Sequence, residues 1–217
     1  MHDDSDAIDR GDEPAERSLN AVVEATPADV RADVPADLVV LGDETAVEAR
    51  AFLTVVRQVA AGEQPETAIP LLLLATSQVL VTGARLGAIT DVVPAQRFEP
   101  DLGSDDDAER LRNDLAILFT GLDDYAEVVD PLTSTEVSGA QVSGDLAEIA
   151  AALVHGLRHH AEGRYSEALW WWQFSYLSSW GGRAASAVRV LQSVISHIRL
   201  DADDDLVAEA QFDALLP

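Results

Sequence analysis

From about residue 45 to residue 200, apolar residues recur at helical spacings. Phe52, Val55, Val56 and Val59 share one face of a segment that opens at Thr45-Ala46-Val47-Glu48 and meets Gly62. A Thr followed three residues later by Glu matches a capping box, in which hydroxyl and carboxylate each satisfy a free backbone N–H. Glycine is a common helix stop, so the pattern predicts a first helix from Thr45 to about Gly62. A second is predicted after Thr67, with Pro70 in its first turn, where no i→i−4 donor is needed. Its run Leu71–Leu74 is apolar on all sides, which predicts a central position. A third begins after Ser104. There Leu111, Leu115, Leu118, Leu122, Tyr125 and Val129 alternate steps of four and three, which predicts one helical seam reaching Asp130-Pro131.

The fourth predicted helix, 143–162, places Val142, Leu146, Ile149, Leu153 and Leu157 on one stripe and ends at Gly163. Only Arg164–Ser166 separate it from the fifth, so the two are expected to be antiparallel neighbours. The fifth runs past Trp180, where Gly181-Gly182 should kink or break it. Ala184, Val188, Leu191, Ile195 and Ile198 then resume the period. No segment shows strand alternation bounded by turn signals. The expected fold class is all-α, a single bundle of five or six helices over residues 40–200.

Composition adds the tails. The 217 residues, 47% hydrophobic, suit one domain with extensions, since two cores would each be small. Residues 1–36 carry ten acidic side chains and little periodicity, the signature of a disordered tail. Residues 201–217, "DADDDLVAEAQFDALLP", join an acidic run to Leu206, Val207, Ala210, Leu215 and Leu216. They read as a short amphipathic helix able to dock on the bundle or on a partner.

Charge narrows the partners. There are 39 acidic residues against 14 basic ones, every one of them Arg, for a net charge of −25. Such a field repels phosphate backbones, so no direct contact with nucleic acid or anionic membrane is expected. A protein partner is compatible with it. The absence of cysteine excludes a disulfide scaffold, a Cys-ligated zinc and a thiol nucleophile. The start "MHDDSDAIDRGDEP" lacks the basic and apolar regions of a secretory signal. The apolar stretch Ile69–Ala84 is only 16 residues and contains Thr76, Ser77 and Gln78, which is short for a membrane span. The expectation is a cytoplasmic protein.

Candidate chemistry is sparse. Asp105, Asp106 and Asp107 suit a helix N-terminus and lack the spacing of a calcium loop. Glu148, His155, His159 and Glu162 fall in one narrow arc of the fourth helix at about 100° per residue. That arc lies opposite the Leu146/Leu153/Leu157 stripe and is expected to face water, whereas metal sites of helix bundles face inward. Neither metal nor cofactor is expected. His160 reads as a structural imidazole at the helix end. No phosphate loop, nucleophile elbow or dinucleotide fingerprint is present.

The densest feature is "EALWWWQFSYLSSWGG", residues 167–182, which holds all four tryptophans. On a helical projection Trp170, Trp172, Phe174, Tyr176, Leu177 and Trp180 join one broad apolar arc, expected to be core. Trp171 falls outside it with Ser175, Ser178 and Ser179, the setting of an exposed contact residue. Gln173 lies inside the arc, where a buried amide must find hydrogen-bond partners. Tyr125 or a helix-end carbonyl could supply them. Two functional readings follow. One is a non-enzymatic interaction or adaptor module contacting a protein through Trp171. The other is a small-molecule-binding protein or enzyme with an aromatic pocket around Gln173, Tyr125 and Trp180.

Two resemblances accompany these residues. "AEGRYSEAL", residues 161–169, resembles the helix junction of a tetratricopeptide repeat, but no second copy stands at the required 34-residue period. "DVVP" at 91–94, "YAEVVDP" at 125–131, "GDLAEI" at 144–149 and "GRYSEALWWWQFSYLSSWG" at 163–181 together resemble an uncharacterised bacterial helical family, domain of unknown function 5063, over roughly residues 45–195. The family pattern of Trp-x-Trp-x-Phe, an aromatic and then Trp-Gly corresponds to Trp170, Trp172, Phe174, Tyr176, Trp180 and Gly181. The chain departs at Trp171, Gln173 and Ser179, where Glu, Arg and His are usual. The resemblance implies an α-helical domain and no particular activity.

Overall fold

Pro35 opens the first helix, α1 (Ala36–Ala60). The computed structural model describes residues 34–94, 106–130 and 132–200. Both acidic tails and most of the 89–107 loop lie outside that range. Helix α1 therefore starts well before Thr45. Thr45 is buried mid-helix, and its hydroxyl donates to the Leu41 carbonyl of its own helix at 2.7 Å. A hydroxyl satisfied one turn back leaves no cap to make. Gly62, at φ +77°, ends the segment as expected.

A short 3₁₀ turn, Pro65–Thr67, leads into α2 (Ala68–Ala88). With that turn, Pro65–Ala88 is long and apolar enough to cross a membrane, at a mean hydropathy of 1.6. In the bundle Leu72, Thr76, Val79, Gly83 and Leu86 form its buried face, while Leu74 and Val81 are exposed. The helix flanks the core and is not surrounded by it.

The predicted long seam divides. Leu111, Leu115 and Leu118 pack inward on α3 (Asp106–Leu118), which stops there. After a turn at Gly121, φ +83°, Tyr125 and Val129 leave the helix. Residues Asp124–Val128 form strand β1, paired antiparallel with β2 (Val137–Gln141). Tyr125 sits opposite Ala140 and Val128 opposite Val137. This hairpin is the one departure from a helical chain among the described residues. Asp123 explains the switch. Its carboxylate accepts from the Ser143 N–H (2.8 Å) and hydroxyl (2.7 Å), and its carbonyl from the Val142 N–H. It thereby satisfies orphan donors at the start of the next helix, a role closed to a residue inside a continuing helix.

Helix α4 (Val142–Ala161) and helix α5 (Tyr165–Ser175) form the expected antiparallel pair across Gly163, φ +77°. The chain then makes one π-helical turn, Tyr176–Trp180, and continues directly as α6 (Gly181–Leu200). The glycine pair does not break the helix. The Gly181 N–H donates to the Tyr176 carbonyl, the i→i−5 bond of a π-bulge. A Cβ on Gly181 would stand 2.6 Å from that carbonyl and 2.7 Å from the Tyr176 ring, so the turn needs glycine there. Phe52, Leu72, Leu115, Leu146, Leu153, Trp172 and Leu191 fill one core from every helix, each burial contributing about 1.5–3 kcal/mol.

Candidate functional site

The two stretches singled out by sequence, the tryptophan helix and Tyr125, occupy different places. In α5 the buried positions are Tyr165, Ala168, Leu169, Trp172, Gln173 and Ser175. The inward arc is rotated toward Ala168 and Ser175, away from the most apolar side. Small side chains let helix backbones approach, and a hydrophobicity projection does not register them. Trp172 and Trp180 are core as expected, whereas Trp170 is half-buried. Phe174 and Leu177 are outside it, 52% and 62% exposed. Trp170 and Phe174 stack with ring centroids 5.8 Å apart. These two and Leu177 leave an apolar strip on the surface.

Trp171, expected to be exposed, is half-buried. Its ring lies 4.2 Å from that of His155, and its Nε1 donates to the Ala152 carbonyl at 2.9 Å. Trp172 Nε1 likewise reaches the Leu153 carbonyl, at 3.3 Å. Gly156 makes that approach possible, since a Cβ there would sit 2.0 Å from Trp172 Nε1. The same packing overturns the water-facing reading for the two histidines of the arc, while Glu148 and Glu162 are exposed as expected. His159 is buried at 4% exposure, and its ring meets that of His155 edge-on at 5.0 Å. Among the described residues no three His, Asp or Glu side chains converge as metal ligands. His160 packs edge-on to Tyr165, with Nε2 2.9 Å from Asp43 Oδ1.

Gln173 finds the helix-end partners that its burial demanded. Its Nε2 donates to the carbonyls of Leu86 (3.0 Å) and Ile89 (3.3 Å), and its Oε1 accepts from the Val92 N–H at 2.8 Å. The amide thus closes the C-terminus of α2 and holds the start of "DVVP". Trp180 Nε1 donates to Ser175 Oγ at 3.1 Å. Trp180 also lies against Gly83 with Tyr176.

Tyr125 belongs to a second place. Its hydroxyl donates to Asp145 Oδ2 at 2.5 Å, and Arg183 Nη1 donates to Asp145 Oδ1 at 3.0 Å. Gln173 and Tyr125 therefore bond to different parts of the fold and do not share one aromatic pocket. Around Asp145 the hairpin, α3, α4 and α6 enclose a cleft of about 800 Å³. Helix α6 grips the hairpin with residues three apart. Ser186 Oγ donates to Glu127 Oε2 (3.0 Å), and Arg189 Nη2 to the Ala126 carbonyl (3.3 Å). Asp145 is 2% exposed, and burial pushes its carboxyl above the usual carboxylate range, against the pull of Tyr125 and Arg183. Burial and the hydrogen bond to Asp145 likewise push the Tyr125 phenol well above its ordinary value. Sequence reasoning missed Asp145 and Arg183, although Asp145 lies in "GDLAEI", one of the stretches that carried the family resemblance.

This pair gives a pH-dependent prediction. A phenol whose folded-state pKa is raised contributes stability that is present below pH 10 and lost as the pH rises. Tyr125→Phe is expected to cost about 1–2 kcal/mol at neutral pH, because Asp145 loses one of its two partners. It should also flatten the alkaline decline in stability. Urea unfolding between pH 7 and pH 11 checks both; an unchanged alkaline slope in the variant would refute the assignment.

Comparison with known proteins places the fold. No curated protein matches the chain. The crystal structure of protein BF1032 from Bacteroides fragilis is similar to it, with a TM-score of 0.55 and 17% sequence identity. The match covers 70% of this chain and 89% of that one, a likeness that speaks for the fold alone. Residues 41–197 match the family model described as Domain of unknown function (DUF5063). The matched span holds the Trp-rich helix, the Gln173 closure and the Asp145 cleft alike, and the chain belongs to the DUF5063 family.

Proposed function

We propose that the domain is a non-enzymatic cytoplasmic interaction module, and that its contact surface is the apolar strip Trp170, Phe174 and Leu177. The observation that carries this reading is the exposure of Phe174 and Leu177 beside a stacked Trp170 on one side of α5 and the π-helical turn that follows it. Contiguous exposed apolar side chains mark interaction surfaces where single ones do not, and aromatic anchors dominate interface energetics. The contact residue is thus moved one side of the helix away from Trp171. The net charge of −25 opposes a second copy and favours a protein partner that presents an apolar helix face rimmed by cations. It equally disfavours nucleic acid.

A photo-crosslinking residue in place of Phe174, in the full chain inside its host cell, tests this. One discrete adduct with a different protein is expected. None should form from the equally exposed Leu74 on α2. Leu177→Asp should weaken binding of the captured partner at least about tenfold. The reading fails if positions 174 and 74 give the same adducts, or if the adduct is a dimer of this chain.

A further inference from the structure

Between α1 and α4 lies a hollow of about 540 Å³ whose lining has three arginines, Arg50, Arg57 and Arg158, and no carboxylate. That is unusual in a chain with 39 acidic residues and 14 basic ones. All three arginines are exposed, and none pairs with a carboxylate among the described residues. The floor between them is apolar, made by Leu53, Val154 and Leu157. A neighbouring hollow shares Leu53, Arg57, Val154 and Arg158 and runs on toward α3. There Arg110 joins the lining, and Asp107 and Asp114 bring the only carboxylates. The occupant this groove fits is an elongated segment with an apolar stripe flanked by carboxylates.

We propose that residues 201–217 of this chain dock in the groove between α1 and α4. The segment carries six carboxylates and no cation, interleaved with Leu206, Val207, Phe212, Leu215 and Leu216. It thus offers both halves of the complement, carboxylates for the guanidinium rim and apolar side chains for the floor. Residues 1–33 fit less well, because Arg10, Arg17 and Arg31 interrupt their ten carboxylates. Reach is no obstacle. Seventeen residues span at most about 60 Å, more than the roughly 40 Å width of a domain this size. Tethering through Leu200 gives the segment an effective concentration on the order of millimolar. Guanidinium–carboxylate pairs orient the segment, and the apolar floor supplies the burial that keeps it in place.

The absence of cysteine lets two nitroxides be placed cleanly in the full chain, at Ala51→Cys, exposed on α1 outside the lining of the groove, and at Ala208→Cys in the segment. Pulsed electron–electron double resonance, with labelled protein diluted in unlabelled protein, should show a short, narrow distance distribution. Combining Arg57→Glu with Arg158→Glu should lengthen and broaden it, and at least a tenfold loss of the short-distance population is expected. Both arginines are exposed, and unchanged circular dichroism and melting would show that the variant is folded. A wild-type distribution as broad as the variant's overturns the proposal and leaves the groove to an external acidic partner. So does a short distance that vanishes on spin dilution, which means a second copy. A short distance from Ala21→Cys in place of Ala208→Cys assigns the groove to the N-terminal segment and overturns it as well.

Discussion

Gly156→Ala is expected to lower the unfolding free energy by about 3 kcal/mol and the melting temperature by roughly 6–12 °C. An alanine inside a helix is ordinarily a gain over glycine, of about 0.5–1 kcal/mol. Here the sign reverses because of what faces the position. A Cβ at 156 would lie 2.0 Å from Trp172 Nε1, 2.4 Å from Cε2 and 2.5 Å from Cδ1. Three atoms of one rigid ring meet it at once, so no single rotation relieves the clash. Trp172 is fully buried, and its indole cannot retreat without displacing Leu153 and α4 or losing its bond to the Leu153 carbonyl. Gly182→Ala is the control. It is exposed and helical, and nothing lies within 4 Å of its Cβ, so a gain of about 0.5–1 kcal/mol is expected there. Equal effects of the two substitutions in urea unfolding would show that the close approach of Trp172 to α4 is wrong.

Gln173→Leu is expected to cost about 2–4 kcal/mol, although it exchanges a buried polar group for an apolar one of similar length. The amide meets several backbone groups that have few alternatives. The Leu86 and Ile89 carbonyls stand at the C-terminal end of α2, where helical partners run out, and the Val92 N–H lies in the extended stretch beyond. Leucine leaves a donor and at least one carbonyl unmet in a buried place, at about 1–3 kcal/mol each. Gln173→Glu fails differently, since its carboxylate accepts from Val92 but faces the same carbonyls as a charge. Amide exchange at Val92 gives a direct readout. Protection of that N–H should fall in both the Leu variant and a shorter Gln173→Ala variant, and in the Leu variant it should fall further than at Val79 in the middle of α2. Uniform loss of protection along α2 would argue that Gln173 only fills space.

The helical spacings already carried most of the architecture. A residue on a helix meets its i+3 and i+4 neighbours whatever the rest of the chain does, so α4, α5, their tight antiparallel link and the stop at Gly62 were legible from local pattern. The same locality misled at Tyr125. Four- and three-residue steps continued through Leu122 and Tyr125, but the helix ends at Leu118, because Asp123 is drawn to the start of α4, a partner twenty residues away. A period of 3.5 cannot register a competing bond at that distance. Thr45 shows the converse. Its spacing to Glu48 is that of a cap, yet with a helix already running from Ala36 the hydroxyl satisfies itself one turn back.

For the aromatic helix, sequence alone determined that Gln173 had to find hydrogen-bond partners, that Trp172 and Trp180 were core and that the resemblance to an uncharacterised helical family was real. Which way the helix faces was a tertiary decision. Apolarity pointed the arc toward Trp170 and Phe174, while the buried side takes in Ala168 and Ser175 and α4 approaches through Gly156 against Trp172, since close backbone approach at small residues outweighs a few extra apolar atoms on the far side. That rotation half-buries Trp171, buries His159 and leaves Phe174 and Leu177 in water. Likewise, only the assembled helices bring Asp145 to Arg183 and Tyr125, and Arg57 to Arg158. Residues far apart in the chain meet where packing places them, and their own neighbourhoods in sequence hold no trace of it.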